Sequence, residues 1–214
     1  MYTPARYKES DLNTLLDFMK KYSFATMITA GNGKPVATHV PFVVEEREGK
    51  IFLLTHIARA NDQWKDFEHQ QVLVIFHEPH AYISAKFYDS KEDVPTWNYT
   101  AVHAYGTARI IPERNEIEKL FFKTFDFYDP SFREQYLNDL SEEYKTKLIN
   151  RIVACEIEVV ELHGKKKLSQ NYTVAEVLRM IDELSQSDNT LVRTTAEMMN
   201  EELKKRTSSG EFHS

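Results

Sequence analysis

The chain has 214 residues, a formal net charge of −6, 42% hydrophobic and 28% charged residues, and a single cysteine. That is enough apolar material for a full core, which excludes global disorder, and one cysteine excludes an internal disulfide framework and a cysteine-rich zinc site. The acidic balance argues against nucleic-acid binding through overall charge, and no apolar run approaches a membrane span, so a soluble, cytoplasmic protein with no membrane partner is expected.

Leu12, Leu15, Leu16 and Met19 recur at helical spacing and predict a helix over residues 11–21. A strand over 24–30, the turn Gly31-Asn32-Gly33 and a second strand over 34–45 read as a hairpin. A charged turn (46–50) leads to a third strand at 51–56. Residues 60–70 read as a helix, with Trp64 and Phe67 three apart on one face. Strands at 72–77 and 81–84 are expected to be interrupted at Pro79. A long strand ends at Ile111, and a helix over 113–127 carries Ile117, Leu120, Phe121 and Phe125 on one side. Asp129-Pro130 ends that helix, a more polar one follows to about residue 150, and the last strand covers 152–162. Thr173-Val174-Ala175-Glu176 is a capping box that opens an apolar stripe of Val174, Val177, Leu178, Ile181 and Leu184. A second amphipathic helix is expected over 190–205, and the polar end should fray. Strands joined by short turns make an α+β protein with a mostly antiparallel sheet, able to close into a small barrel.

Four segments could carry chemistry. Pro95-Thr96-Trp97-Asn98-Tyr99, running on to His103 and Gly106, concentrates flat rings and hydrogen-bonding tips in one strand, as a pocket for a planar ligand with a polar edge would need. The plain alternative is a strand with a few buried aromatics. Thr55-His56-Ile57-Ala58-Arg59-Ala60-Asn61 places an Arg beside a helix start, which suits a phosphate but equally a surface Arg and an ordinary N-cap. His39 sits mid-strand. With His56 and His103 it makes three strand histidines, none in HxH or HExxH spacing, so no metal site is expected. His163-Gly164-Lys165-Lys166-Lys167-Leu168-Ser169-Gln170-Asn171 is a basic run after a strand, readable as a phosphate contact or as a solvated turn. Cys155 lies in a β-like run and reads as a small core residue. Nucleophile-elbow, P-loop and dinucleotide motifs are absent from the sequence, and catalytic residues stay unknown.

In combination these segments resemble the PaiB family of FMN-binding negative transcriptional regulators. The resemblance is carried by Met1-Tyr2-Thr3-Pro4, Ala37-Thr38-His39-Val40-Pro41, His56-Ile57-Ala58-Arg59-Ala60-Asn61 with Trp64, and Tyr82-Ile83-Ser84 with Tyr88. It continues in Pro95-Thr96-Trp97-Asn98-Tyr99 with Val102-His103 and Gly106, and in Lys167-Leu168-Ser169-Gln170-Asn171. It implies an FMN-binding split barrel, similar to pyridoxine phosphate oxidase-like proteins, that forms a homodimer with the flavin at the subunit interface. It also implies repression of sporulation and of extracellular protease synthesis, with DNA or a regulatory partner as the further contact.

On this resemblance Thr55, His56, Arg59 and Asn61 would serve the phosphate end of FMN, and Trp97, Asn98 and Tyr99 the ring system. His39 and His103 are further candidates for the same pocket, while Lys167, Ser169 and Gln170 would complete the site or pin the tail. Residues 1–171 are then the barrel domain, 172–206 a helical tail packed on the barrel or on a partner, and 207–214 a disordered end. No basic recognition helix is visible, and Lys204, Lys205 and Arg206 are the available DNA-facing charges. Two alternatives remain open at this point: a flavin-dependent oxidoreductase acting on a small molecule, and a haem-binding split barrel.

Overall fold

A computed structural model of the protein describes residues 1–209. In chain order its strands are β1 (Lys8–Glu9), β2 (Phe24–Thr29), β3 (Val36–Pro41), β4 (Val43–Arg47), β5 (Lys50–Ala58), β6 (Gln71–Ile83), β7 (Thr96–Ile111) and β8 (Ile152–Lys167). Its helices are α1 (Leu12–Lys21), α2 (Arg114–Tyr128), α3 (Pro130–Asn138), α4 (Glu142–Asn150), α5 (Val174–Ser185) and α6 (Thr190–Ser209). The strand order is β3-β2-β6-β7-β8-β5-β4, with β1 beside β8. The β1–β8, β2–β3, β2–β6, β4–β5 and β5–β8 ladders are all antiparallel. The α+β class with an antiparallel sheet is as expected. Among the described residues no helix is long and apolar enough to cross a membrane.

The chain divides into two compact units. One comprises Met1–Asp11, His77–Val102 and the chain from His163 onward. The other comprises Leu12–Phe76 and His103–Leu162. These units cut across the sequential boundary expected near residue 171, because β6, β7 and β8 each supply residues to both.

In the second unit the expected strand over 34–45 is two strands. β3 pairs with β2 and β4 with β5. Pro41 has no N–H to continue a ladder, and at Phe42 the chain steps across: its N–H bonds Ser23 O at 2.9 Å while its ring is fully buried. The helix expected over 60–70 is a run of 3-10 turns, Asp62–His69, with Asn61 as the N-cap accepting from Gln63 N. The polar helix expected up to residue 150 is split into α3 and α4, because Ser141 Oγ accepts from Tyr144 N at 3.2 Å and opens a new helix.

The stripe predicted on α2 is real. Ile117, Leu120 and Phe121 pack with Tyr136, Ile149, Val43, Leu54 and Ala154 into one core. Each such side chain, once buried, stabilises the unit by roughly 1.5–3 kcal/mol. Cys155 is fully buried, and burial pushes its thiol up to about 12. A thiol reagent should therefore modify Cys155 only after denaturation. Labelling of the native protein at neutral pH would contradict this placement.

In the first unit β6 runs unbroken through Pro79 instead of stopping there. β8 likewise runs past Leu162 to Lys167, because Lys8 and Glu9 pair with Lys165 and Gly164 and turn a supposed solvated run into a ladder. The capping box forms as read: Thr173 Oγ1 accepts from Glu176 N, and Glu176 bonds back to Thr173 N at 2.9 Å. The stripe of α5 and the inner face of α6 bury Val177, Met180, Leu184, Ala196, Met199 and Leu203 against Ala81, Ile83 and Phe87. Of the stretch expected to be disordered, Thr207, Ser208 and Ser209 continue α6, and residues 210–214 lie outside the described residues.

Glu176 also accepts from Asp89 N at 3.0 Å and is 6% exposed. Burial alone would raise its pKa, but the bonds from Asp89 and Thr173 outweigh burial and hold its carboxyl below the ordinary value. A lowered folded-state pKa stabilises the protein above the unfolded value of about 4.3, and that contribution disappears as pH falls through the folded one. Glu176→Gln should therefore lower stability by about 1–2 kcal/mol at pH 7. The gap to wild type should narrow once pH falls below the unfolded value and close as it passes the lowered folded one, as read by thermal unfolding against pH. A gap that stays constant down to pH 3 would contradict the bond pattern.

Candidate functional site

The first unit presents an outward face of rings and cations. Along β7 the side chains alternate, so Trp97 (52% exposed) and Tyr99 point outward while Asn98 and Thr100 are buried. On β6 the buried positions are Val72, Val74 and Phe76, then Pro79, Ala81 and Ile83. The phase changes between Phe76 and Pro79, which brings His77, His80 and Tyr82 to the outer face together. Their rings form a chain. Tyr99 and His77 have centroids 6.2 Å apart, and His77 and His80 stack at 5.4 Å and 17°. His80 and Trp97 lie 5.8 Å apart, and Trp97 meets Tyr82 edge-on at 5.7 Å.

Cations border this face. Lys165 Nζ lies 5.0 Å from the centre of the Tyr99 ring and donates to Tyr2 O at 3.3 Å. Lys167 donates to Thr96 Oγ1, and burial together with the charge of Lys165 holds its ammonium below the ordinary value. Lys166 is used differently, pairing with Glu9 at 2.7 Å. Burial also holds the His77 imidazole below its ordinary value, against the charge of Glu78 and with that of His80. Stacking surfaces beside ammonium groups suit a planar ligand that carries negative charge.

Asn98 takes no part in the outer face. Its Nδ2 donates to Ser169 Oγ at 2.8 Å and to Met199 Sδ at 3.3 Å, and its Oδ1 is buried without a hydrogen-bond partner. Ser169 has φ 65°, a left-handed conformation at the turn after β8. Gln170 closes that turn, donating to Lys166 O and accepting from Leu168 N, both at 2.7 Å. Asn98, Ser169 and Gln170 thus knit the turn to α6.

The other predicted residues belong to the second unit. Thr55 is buried and donates to Pro41 O at 2.7 Å. His56, on the opposite face of β5, meets Phe121 edge-on at 5.7 Å, and burial lowers its pKa. Arg59 donates from Nε to Asn150 O at 2.9 Å and from Nη2 to Ile152 O at 2.8 Å, while Nη1 takes part in neither bond. Asn61 donates to Thr38 Oγ1 at 2.8 Å within a polar knot completed by Gln63, which reaches Met27 O and Val36 O. His39 is exposed and bonds Thr26 Oγ1 through Nδ1 at 2.9 Å. His103 is half-buried beside Tyr105, with ring centres 6.4 Å apart. A shallow groove of about 330 Å³ in the same unit is lined by Thr107, Arg109, Glu156, Glu158 and Val160.

Of the predicted set, then, Trp97 and Tyr99 share a face. His77 and His80 join them and were missed, because His77-Glu78-Pro79-His80 reads in sequence only as a strand break; Tyr82, quoted only for the resemblance, and Lys165, read only as part of a basic run, join them too.

The family model described as "Putative FMN-binding domain" matches residues 1–161. The chain is 35% identical over 207 residues to the "Protease synthase and sporulation protein PAI 2" of Bacillus subtilis, covering 96% of this chain and 99% of that one. Among solved structures it is similar to the flavocytochrome Anf3 from Azotobacter vinelandii, with a TM-score of 0.60 and 20% identity over 75% of this chain and 69% of the other. It is also similar to the FAD and heme binding protein from Mycobacterium smegmatis, with a TM-score of 0.56 and 16% identity over 81% and 79%. Those two likenesses show the fold, a split barrel of the expected α+β class.

Proposed function

The chain belongs to the PaiB family of FMN-binding-domain proteins, and on that footing we propose that it is a flavin-binding negative regulator of transcription acting on sporulation and extracellular protease synthesis. The observation that carries the reading is the end-to-end match, at 35% identity, to a protein named for those two processes. We take the flavin to be FMN and the working form to be a cytoplasmic homodimer.

The residues present fit a flavin. Trp97 and Tyr99 offer ring surfaces on an outward face, and Lys165 and Lys167 put positive charge beside them. Bound there, the flavin would supply redox chemistry that the side chains lack. The chain's own part is to stack, orient and neutralise. For the phosphate we propose Arg59, through Nη1. On this reading the ring and phosphate contacts of an interfacial flavin would come from different copies of the homodimer.

Arg59→Ala should weaken FMN binding about tenfold or more, a loss of about 1.4 kcal/mol or more. Unchanged affinity would remove Arg59 from the site. Because Arg59 also holds the carbonyls of Asn150 and Ile152, the melting temperature of the variant is read alongside.

The regulatory reading is tested in the source cell. Deleting the gene should raise extracellular protease output and sporulation, and restoring it should reverse both. No change in either would contradict repression. Direct DNA contact and action through a protein partner are then separated by salt: a promoter complex that loses affinity steeply between about 50 and 200 mM salt marks phosphate contacts by Lys and Arg.

A further inference from the structure

His77, Glu78 and His80 converge on a point that neither the fold nor the flavin reading requires. One ligating atom of each lies within 4.8 Å of the other two. Glu78 Oε2 and His80 Nδ1 are buried atoms without a hydrogen-bond partner, and they face each other at 3.6 Å. That separation is too long for a hydrogen bond, whose N–H···O distance is about 2.7–3.2 Å. The contact is an ion pair only with a protonated imidazole; with a neutral one, two buried acceptors that point at one another are costly unless something between them accepts both lone pairs.

We propose that His77, Glu78 and His80 form a binding site for a divalent transition-metal ion of the zinc class. Two imidazole nitrogens and one carboxylate oxygen are the donor set of such ions, whereas calcium and magnesium require oxygen donors. Tetrahedral zinc, with bonds of about 2.0–2.1 Å, places its ligand atoms roughly 3.4 Å apart. The Glu78–His80 pair already stands near that value. The remaining closure falls to His77, which is exposed. The phase change in β6 is what makes the site. In a regular strand residues three apart point to opposite faces, but here His77 and His80 lie on one face and stack. The rings of Tyr99 and Trp97 flank them and limit their rotation. Three protein ligands leave the fourth position open to water or a ligand atom. The expectation of no metal rested on His39, His56 and His103, and these are different residues.

The test uses the full chain, stripped with chelator, dialysed against ZnCl₂ and assayed for zinc. Because the chain has eight histidines, the informative number is the difference between wild type and His80→Ala, Glu78→Gln and the double variant His77→Ala/His80→Ala. Wild type should retain one equivalent of zinc beyond the double variant, and each single variant should bind that equivalent at least tenfold more weakly in competition with a chromophoric chelator. Equal retention in all four proteins, or none in wild type, would overturn the site and leave an adventitious ion only. X-ray absorption on zinc-loaded wild type keeps the question open to test if a variant fails to fold. Two imidazoles and one carboxylate oxygen support the site, and a shell without an imidazole pair overturns it.

Discussion

Replacing Gly106 with alanine should lower the stability of the protein by about 3 kcal/mol, the upper part of the range for forcing a methyl into filled space. A Cβ at this position would stand 2.6 Å from Ile157 Cγ2 and closer still to the carbonyl oxygen of Glu158. The carbonyl belongs to the backbone of β8, so relief requires moving a strand and not merely turning a side chain. The backbone at Gly106 is ordinary for a strand, so the cost comes from space alone. In a chain of this length about 3 kcal/mol corresponds to a fall of roughly 6–12 °C in melting temperature. A change below about 0.5 kcal/mol in urea or thermal unfolding would contradict the close approach of β7 to β8 in the second unit.

Trp97→Ala should weaken FMN binding by about 5- to 150-fold, the roughly 1–3 kcal/mol found when an aromatic partner of a stacked planar ring is removed. Trp97 is half-exposed and packs only against His80 and Tyr82 among the ring contacts described. The melting temperature of the flavin-free protein should therefore hardly move. Its neighbour should behave in the opposite way. Asn98→Ala removes buried bonds to Ser169 and Met199, so it should lower stability by about 1–3 kcal/mol. Flavin affinity measured on the folded fraction should then change far less than in Trp97→Ala. If both substitutions act alike, the alternation along β7 does not separate a ligand face from a structural one.

Features that depend on local chemistry were legible in the sequence. The capping box at Thr173 and Glu176 and the stripe on α2 each follow from short-range pattern, and each is present. What stayed hidden depends on partners far along the chain. The lysine run after Leu162 is a strand only because Lys8 and Glu9 pair with it. The strand over 34–45 changes partner at Phe42, which no local pattern announces. Pro79 was read as a break, which concealed both the continuity of β6 and the meeting of His77 with His80. Motif proximity also misled in detail. Trp97, Asn98 and Tyr99 are consecutive, yet one is buried between two outward neighbours. Asn61 was rightly placed at a helix start, but its side chain is committed to Thr38 and Gln63.

The most direct test of the central claim is a visible absorption titration of the purified full chain with FMN, run beside gel filtration. A flavin-binding dimer should give paired flavin bands that shift on binding, saturate at one FMN per chain and elute with the dimer. A chain that leaves the FMN spectrum unchanged and elutes as a monomer, or one that carries a Soret band in place of flavin, would contradict it.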